Sequence, residues 1–356
     1  MIVGGGGAAG SGSPMAVSSA RAGAVEMSMK IASAAAVALA AALWFVAHIV
    51  FRPYYLAADF SWPWAAARLL LEGRSPYGVA LFPTIPLFGD PFFYPLPAAL
   101  VALPLASLPA MWAGAIWAGG SAALLALVLP RHLWPVLLSA PLWQSVYAGQ
   151  WAPILAAGLL WAPASVLWVC KPSLGLALFL ARPSRWPILG GGALCLVGLV
   201  LLPSWPLEWL GALRRSHHPI PLLTPAGIVL GPLLAALVWR RGLADWRVRL
   251  LFGLCLVPQM VRVYDMLPAL MVARTRREAL ILALASWAAH FVGYPLTDTA
   301  PELAAPALFL LGYALPILRL HLIDADECRP RRSGAHRAGA AGVAALPSDL
   351  IGPRAG

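Results

Sequence analysis

Two long stretches without a charged side chain constrain this sequence more than any other feature. Neither the residues between Asp90 and Arg131 nor those between Arg131 and Lys171 include Asp, Glu, Lys or Arg. Each stretch is about 40 residues long, whereas a helix needs only about 20 apolar residues to cross a bilayer. Further uncharged runs cover 31–51, 186–207, 216–239, 279–297 and 303–318. The sequence therefore predicts an all-α, polytopic membrane protein with about ten transmembrane helices.

The positive charges are confined to short gaps between these runs and to the end of the chain. The formal net charge is +11, and only 11% of the residues are charged. Arginines that separate apolar runs are Arg182, Arg185, Arg240, Arg241, Arg247, Arg249, Arg274, Arg276 and Arg277. Cytoplasmic loops of membrane proteins have this composition. We therefore expect the lipid bilayer as a partner and no nucleic acid, with both termini in the cytoplasm.

Composition divides the chain into three parts. Residues 1–30 are rich in Gly, Ala and Ser and predict a disordered cytoplasmic N-terminus. Residues 31–319 form the transmembrane domain, and its first span, 31–51, places residues 52–95 on the outer face. Residues 320–356 are polar and basic and predict a disordered cytoplasmic tail.

The first outer segment predicts a short helix lying in the headgroup region. The pattern favours a helix over 62–73, with Pro63 in its first turn and Gly73 at its end. Arg68 and Glu72 are four residues apart and predict an ion pair. The tryptophans and tyrosines on either side, Tyr54, Tyr55, Trp62, Trp64 and Tyr77, are typical of the membrane interface.

Few acidic residues lie where they could act on a substrate at the outer face. Asp59 precedes the interfacial helix among aromatic residues, a setting that suits a carboxylate base. The alternative is that Asp59 is the N-cap of this helix. Asp90 has a similar position, but the sequence Gly-Asp-Pro is more typical of a turn.

Three further ionisable residues fall inside apolar segments. Lys171 interrupts a region free of charge, and an ammonium inside a bilayer usually has a function, here the binding of a phosphate. The alternative is that it extends from a short helix end to the interface. Arg262 and Asp265 are three residues apart on one predicted helix, so they either neutralise each other or form part of a site.

One string of residues in the outer segment and a series of short motifs after it follow a recognisable order. They are Asp59-Phe60-x-x-x-Trp64-x-Ala66-Ala67-Arg68-x-Leu70-Leu71-x-Gly73-x-x-Pro76-Tyr77, then Phe93-Tyr94-Pro95, Leu103-Pro104-Leu105, Leu108-Pro109, Gly149-Gln150, Lys171-Pro172 and Tyr264-Asp265. This order resembles glycosyltransferase family 87 over about 55–272. The family comprises polyprenyl-phosphate-sugar-dependent membrane enzymes of the GT-C fold, including bacterial mannosyltransferases.

The resemblance implies an activity and a set of site residues. A lipid-linked sugar phosphate would be the donor in a bacterial plasma membrane, and a lipid or glycan hydroxyl would be the acceptor. Asp59 would deprotonate that hydroxyl for an inverting attack, and Lys171, helped by Arg68 or Arg262, would stabilise the departing phosphate. Tyr94, Gln150 and Asp265 would bind substrate. No metal or other cofactor is expected.

Two other functions fit the same sequence. A transporter or flippase for a lipid-linked or anionic solute would also carry charges inside the membrane, but such proteins often have internal repeats, and none is apparent here. A non-catalytic member of the same fold is the second alternative. It is suggested by Leu96, which replaces a family proline, and by the missing basic loop between Gln150 and Lys171.

Overall fold

The computed structural model describes residues 14–52, 58–79, 81, 92–215 and 218–327. Within these ranges the chain is helical and contains no strand, which confirms the all-α prediction. The α-helices are α1 (Pro14–Phe51), α2 (Ser61–Leu71), α3 (Leu96–Ala102), α4 (Ala110–Val128), α5 (Ala140–Tyr147), α6 (Ala152–Leu160), α7 (Pro172–Ala181), α8 (Gly192–Leu201), α9 (Trp205–Leu213), α10 (Gly227–Arg241), α11 (Trp246–Leu256), α12 (Arg276–Thr299) and α13 (Pro301–Glu327).

Four of these helices are long and apolar enough to cross a membrane. The segments are Val25–Phe51 of α1, Ala110–Val128, Arg276–Thr299 and Pro301–Leu322 of α13. Two consecutive helical segments, 187–201 and 205–213, meet at an angle of 103°. Counted together as one broken span, they give a fifth crossing. By length and composition, the described chain therefore has four or five helices that are able to span a membrane.

The other apolar segments are divided into shorter helices. Pro141, Pro153 and Pro172 lie in the first turns of α5, α6 and α7, where a missing backbone N–H costs nothing. The 3₁₀ helices Arg131–Leu138 and Ala162–Cys170 lie before and between these α-helices, and a third, Val263–Val272, follows α11. The second uncharged stretch is therefore divided into short helices that start at or near a proline, whereas the first retains the long helix α4.

Several sequence-based boundaries are corrected by the structure. Residues 14–30, expected to be disordered, belong to α1, because their Ala, Met and Ser residues continue the helix of the first span. The same holds for 320–327, which extend α13. The helix expected over 62–73 covers 61–71, and Glu72 pairs with Arg74 at 3.1 Å in place of Arg68. Residues 1–13 and 328–356, together with Tyr54, Tyr55 and Asp90, lie outside the described residues.

The segment that carries Arg262 and Asp265 is not one helix but forms a hairpin. Helix α11 leads inward from Asp245, and the 3₁₀ helix 263–272 leads back to Arg274. Arg274 Nη2 lies 3.7 Å from Asp245 Oδ2, so the hairpin begins and ends at the same place. Its two arms are only about 17 and 20 Å long, which is too short for either arm to cross a bilayer.

Arginines from several elements share one face, which we call the charged face. Glu26, twelve residues after the start of α1, pairs with Arg131, whose 3₁₀ helix packs along α12. At the end of α13, Arg319 pairs with Glu278 in the first turn of α12. Helix α7 ends at this face with Arg182, which places Lys171, at its other end, about 15 Å farther into the molecule.

Candidate active site

Asp59 is held at the start of the outer segment by two bonds to one distant turn. It belongs to a single 3₁₀ turn, 58–60, that precedes α2. Its backbone N–H donates to the Ala148 carbonyl at 2.9 Å, and its carboxylate accepts a hydrogen bond from the Gln150 amide. Ala58 has a φ of 50°, a left-handed conformation that is unfavourable for a residue with a Cβ. These contacts define where the carboxylate points.

The N-cap interpretation of Asp59 is wrong. The residue at the N-cap of α2 is Phe60, and no side chain caps that end of the helix. The carboxylate of Asp59 bonds to Gln150, which lies 91 residues farther along the chain. The helix starts at Ser61, one residue earlier than the sequence predicts, and Asp59 lies one residue before the capping position, inside the 3₁₀ turn 58–60.

Gln150 lies in the sharp turn between α5 and α6. Gly149 has a φ of 63°, which glycine adopts without strain, and the Gln150 N–H donates to the Ser145 carbonyl at 2.8 Å. The Gln150 side chain is buried. Its NH₂ group donates to Asp59, and its carbonyl oxygen accepts from Lys171 Nζ at 3.3 Å. One amide therefore connects the carboxylate to the ammonium.

Lys171 forms a buried ion pair with Asp265. The Nζ and Oδ1 atoms are 2.6 Å apart, and Asp265 is completely buried. The second oxygen of Asp265 accepts from the Met260 N–H at 3.2 Å, and the ammonium lies 5.3 Å from the centre of the Tyr264 ring. The snorkelling alternative is therefore excluded, because the lysine points into the protein towards the cluster.

The alternative in which Arg262 and Asp265 neutralise each other is also wrong. Arg262 has an extended backbone and precedes the 3₁₀ helix, so the spacing of three residues does not place the two side chains on one helical face. Its guanidinium lies 5.0 Å from the centre of the Tyr294 ring and donates to the Val261 carbonyl. Among the described residues it has no carboxylate within ion-pair distance.

Tyr94 joins the cluster, whereas Arg68 does not. Tyr94 interacts with the Gln150 amide and packs near Trp151, with ring centres 6.2 Å apart. The Tyr77 hydroxyl donates to the backbone carbonyl of Tyr94 at 2.9 Å. Arg68 is exposed on the outer side of α2, where its guanidinium lies 4.9 Å from the centre of the Trp64 ring. Of the seven site residues that the sequence predicts, all except Arg68 therefore lie in one cluster.

The environment of Asp59 makes its carboxyl group a suitable proton acceptor. Burial raises the pKa of Asp59 to about 6, while the Gln150 hydrogen bond and the Lys171 charge oppose part of this rise. A carboxylate with this pKa is mostly ionised at pH 7 yet binds a proton more strongly than an ordinary aspartate. The burial of Asp59 therefore favours its action as a general base.

Sequence reasoning did not select Gln144 as part of the site. Its side chain is buried, accepts from the Tyr264 N–H at 3.2 Å and lies 3.4 Å from His290 Nδ1. It therefore positions the segment that carries Asp265. A signal was present, because Gln144 and Gln150 are the only amide side chains between Asp90 and Lys171. Buried amides in an apolar setting need hydrogen-bond partners.

Comparisons of the chain with protein-family models, with curated proteins and with solved structures find no match.

Proposed function

We propose that the protein is a membrane glycosyltransferase of family 87 type that transfers one sugar from a polyprenyl-phosphate donor to a lipid or glycan hydroxyl. Mannose is the sugar that we expect. The observation that supports this most strongly is the chain of contacts from Asp59 through Gln150 to Lys171 and Asp265. It places a carboxylate of raised pKa near the Lys171 ammonium, and an inverting transfer from a phosphate needs both a base and positive charge.

The reaction follows from the positions of the charges. Asp59 takes the proton of the acceptor hydroxyl as its oxygen forms a bond to the anomeric carbon of the sugar. The bond from that carbon to the phosphate oxygen breaks, and its electron pair remains on the departing polyprenyl phosphate. Since Lys171 is already paired with Asp265, Arg262 is the cation better placed to stabilise that phosphate, with Tyr94 beside the acceptor. One base suffices for a single inverting displacement.

We infer that the charged face is cytoplasmic, because positively charged loops remain on that side. The site then opens toward the outer half of a bacterial plasma membrane, from which a lipid-linked donor can enter. The proposal retains about ten crossings and a GT-C arrangement. Short helices in series would complete several of them, since the 3₁₀ helix 131–138 followed by α5 extends about 28 Å.

The proposal is tested by sugar transfer in membranes that contain the protein. Membranes are incubated with radiolabelled polyprenyl-phosphate-mannose, and the label in lipid and glycan products is counted. Asp59→Asn should lower transfer at least about 100-fold. Glu302→Gln, which removes an exposed carboxylate in the first turn of α13, at the same end of the long helices as Asp59, should transfer normally. Transfer that survives Asp59→Asn would disprove the assignment of the base.

A transporter or flippase for a lipid-linked or anionic solute is the second candidate. Gln150, Lys171 and Arg262 lie where short helices end inside the apolar part of the molecule. Binding sites of secondary transporters are often built from such interrupted helices. A transporter would move the donor across the bilayer with its sugar intact, and a non-catalytic member of the fold would leave it unchanged.

A further inference from the structure

A group of arginines at the charged face plays no part in the proposed reaction. Two of them come together at Trp246, the first residue of α11. The guanidinium carbons of Arg182 and Arg247 lie 5.4 and 4.8 Å from the centre of the Trp246 ring. Two positive groups from separate elements therefore contact one indole, and we call this arrangement the Trp246 cluster.

The surroundings of the Trp246 cluster have an excess of positive charge. Asp245 is shared by Arg241 and Arg274, at 3.4 and 3.7 Å. The next carboxylate, Glu278, pairs with Arg319 and accepts from the Arg274 N–H. Among the described side chains, these five guanidinium groups thus face two carboxylates, and neither Arg182 nor Arg247 lies within ion-pair distance of either one.

The donors of the Trp246 cluster are not all used by the protein. Arg182 Nη1 donates to the Leu159 carbonyl at 2.7 Å. Arg247 Nε is buried from solvent and has no hydrogen-bond acceptor among the described residues. A guanidinium that is held over an aromatic ring can bind a phosphate oxygen through its other N–H groups.

An apolar strip leads from the interior of the membrane to this cluster. Leu176 and Leu180 are one turn apart on α7 and are about half exposed, at 54% and 46%. Trp239, at the end of α10 beside Arg240, is 91% exposed, as expected of a tryptophan in the headgroup region. A ligand that combines an anionic head with hydrocarbon chains matches both the strip and the excess of positive charge.

We propose that the Trp246 cluster binds the phosphodiester headgroup of an anionic phospholipid whose acyl chains lie along Leu176 and Leu180. The excess of positive charge favours an anionic headgroup over a zwitterionic one, whose ammonium it would repel. The apolar strip favours a lipid over a soluble phosphate. The proposal is independent of the glycosyltransferase function, because none of these residues belongs to the proposed reaction.

The test is a lipid titration of the purified full chain in nonionic detergent, with bound lipid counted by native mass spectrometry. The probes are phosphatidylglycerol, phosphatidylcholine and inorganic phosphate at constant ionic strength. We expect saturable binding of phosphatidylglycerol with at least about tenfold preference over phosphatidylcholine. The double variant Arg182→Gln/Arg247→Gln should weaken this binding about 30-fold, the loss expected for two arginines near a membrane surface.

The matched control is Arg276→Gln/Arg277→Gln, which removes the same charge from exposed positions on the same face. It should retain at least half of the wild-type affinity. The glutamine variant could lose its fold, so Arg182→Lys/Arg247→Lys provides a second test. The lysine variant keeps the charge and should bind the lipid more tightly than the glutamine variant. Its thermal unfolding shows whether the fold is intact. Equal binding of the two lipids, equal losses in the cluster and control variants, or displacement by equimolar inorganic phosphate would overturn the proposal.

Discussion

At the residue scale, the Gln150 side chain has a role that neither a carboxylate nor an apolar residue could fill. Its NH₂ group stabilises the ionised form of Asp59, and its oxygen accepts from Lys171. An amide has a donating NH₂ group and an accepting oxygen, so it joins an anion and a cation without adding charge to the site. This arrangement keeps the pKa of Asp59 from rising further above its ordinary value.

The pKa of Asp59 predicts how sugar transfer depends on pH. Since burial raises this pKa to about 6 and the base must be ionised, the rate should be nearly constant above pH 7. It should fall about tenfold for each pH unit below 6. The measurement is kcat/KM for the polyprenyl-phosphate donor between pH 4.5 and 8. A rate that stays constant down to pH 4.5 would contradict the assignment of Asp59 as the base.

Gln150→Leu distinguishes this explanation from a general effect of acid on the protein. The variant removes a hydrogen bond that favours the carboxylate, so the acidic limb of the profile should move to higher pH. An unchanged limb in Gln150→Leu, with normal unfolding, would mean that another group controls the profile.

Sequence reasoning identified most of the charged residues of this cluster but not their partners. Asp59, Lys171 and Asp265 stand out because few ionisable residues fall in or beside apolar segments. Their pairing depends on contacts between residues that are 91 and 94 positions apart, which no local pattern records. The spacing of Arg262 and Asp265 suggested a local pair, and the extended backbone at Arg262 removed it.

At the scale of elements, the ion pair of Lys171 and Asp265 ties the start of α7 to the hairpin of α11 and the 3₁₀ helix 263–272. The lysine side chain is 11% exposed and the aspartate 1%, so both charges are removed from water. Each charge is tolerated there only because the other compensates it. The pair is therefore a structural link as well as a part of the site.

Single and double substitutions at this pair should differ in a characteristic way. Lys171→Met or Asp265→Leu alone leaves a buried charge unpaired and should lower the free energy of unfolding by about 3–5 kcal/mol. The double variant removes both charges and should be more stable than either single variant. Unfolding of the purified protein in mixed detergent and dodecyl sulfate measures this cycle. Additive losses would show that the two side chains do not interact.

The approach of α7 to the preceding 3₁₀ helix depends on one glycine. A Cβ at Gly175 would overlap the Trp168 carbonyl oxygen, so Gly175→Ala should displace α7. We expect a loss of about 1–3 kcal/mol of stability and, since Lys171 begins this helix, a loss of transfer activity. Gly120→Ala in α4 meets nothing within 4 Å and should be neutral or slightly stabilising. Equal stability of the two variants would contradict this packing.

The lengths of the elements could be predicted only where no proline or glycine interrupts them. The runs 279–297 and 303–318 correspond closely to α12 and α13. Between 131 and 181, hydropathy alone does not separate a crossing from a pair of half-length helices, because both are equally apolar. Pro141, Pro153 and Pro172 mark the helix starts there, but the direction of each reversal is set by tertiary packing.

At the scale of the whole molecule, charge separates two faces. Arg241, Arg274, Arg319 and the pair of Glu26 and Arg131 lie at the charged face, whereas Asp59 and Gln150 lie toward the opposite end of the helices. Sequence reasoning predicted this separation from the spacing of the charges. It did not predict that the site would be assembled from the ends of half-length helices.

The orientation can be measured by cysteine labelling in intact cells. Glu302→Cys, at the start of α13, should react with a membrane-impermeant maleimide added from outside, because we place this end outside the cytoplasm. Arg276→Cys, at the start of α12, should react only after the cells are permeabilised. The reverse pattern would place the site on the cytoplasmic side and rule out an outer-leaflet donor.

The most direct test of the central claim uses purified protein in liposomes with a labelled polyprenyl-phosphate-mannose donor. Loss of sugar from the donor, its appearance on an acceptor and the crossing of intact donor to the other leaflet are followed together. Wild-type protein should release polyprenyl phosphate in proportion to the sugar transferred, and Asp59→Asn should do neither. Intact donor that crosses the bilayer without losing its sugar would contradict the account and identify a flippase.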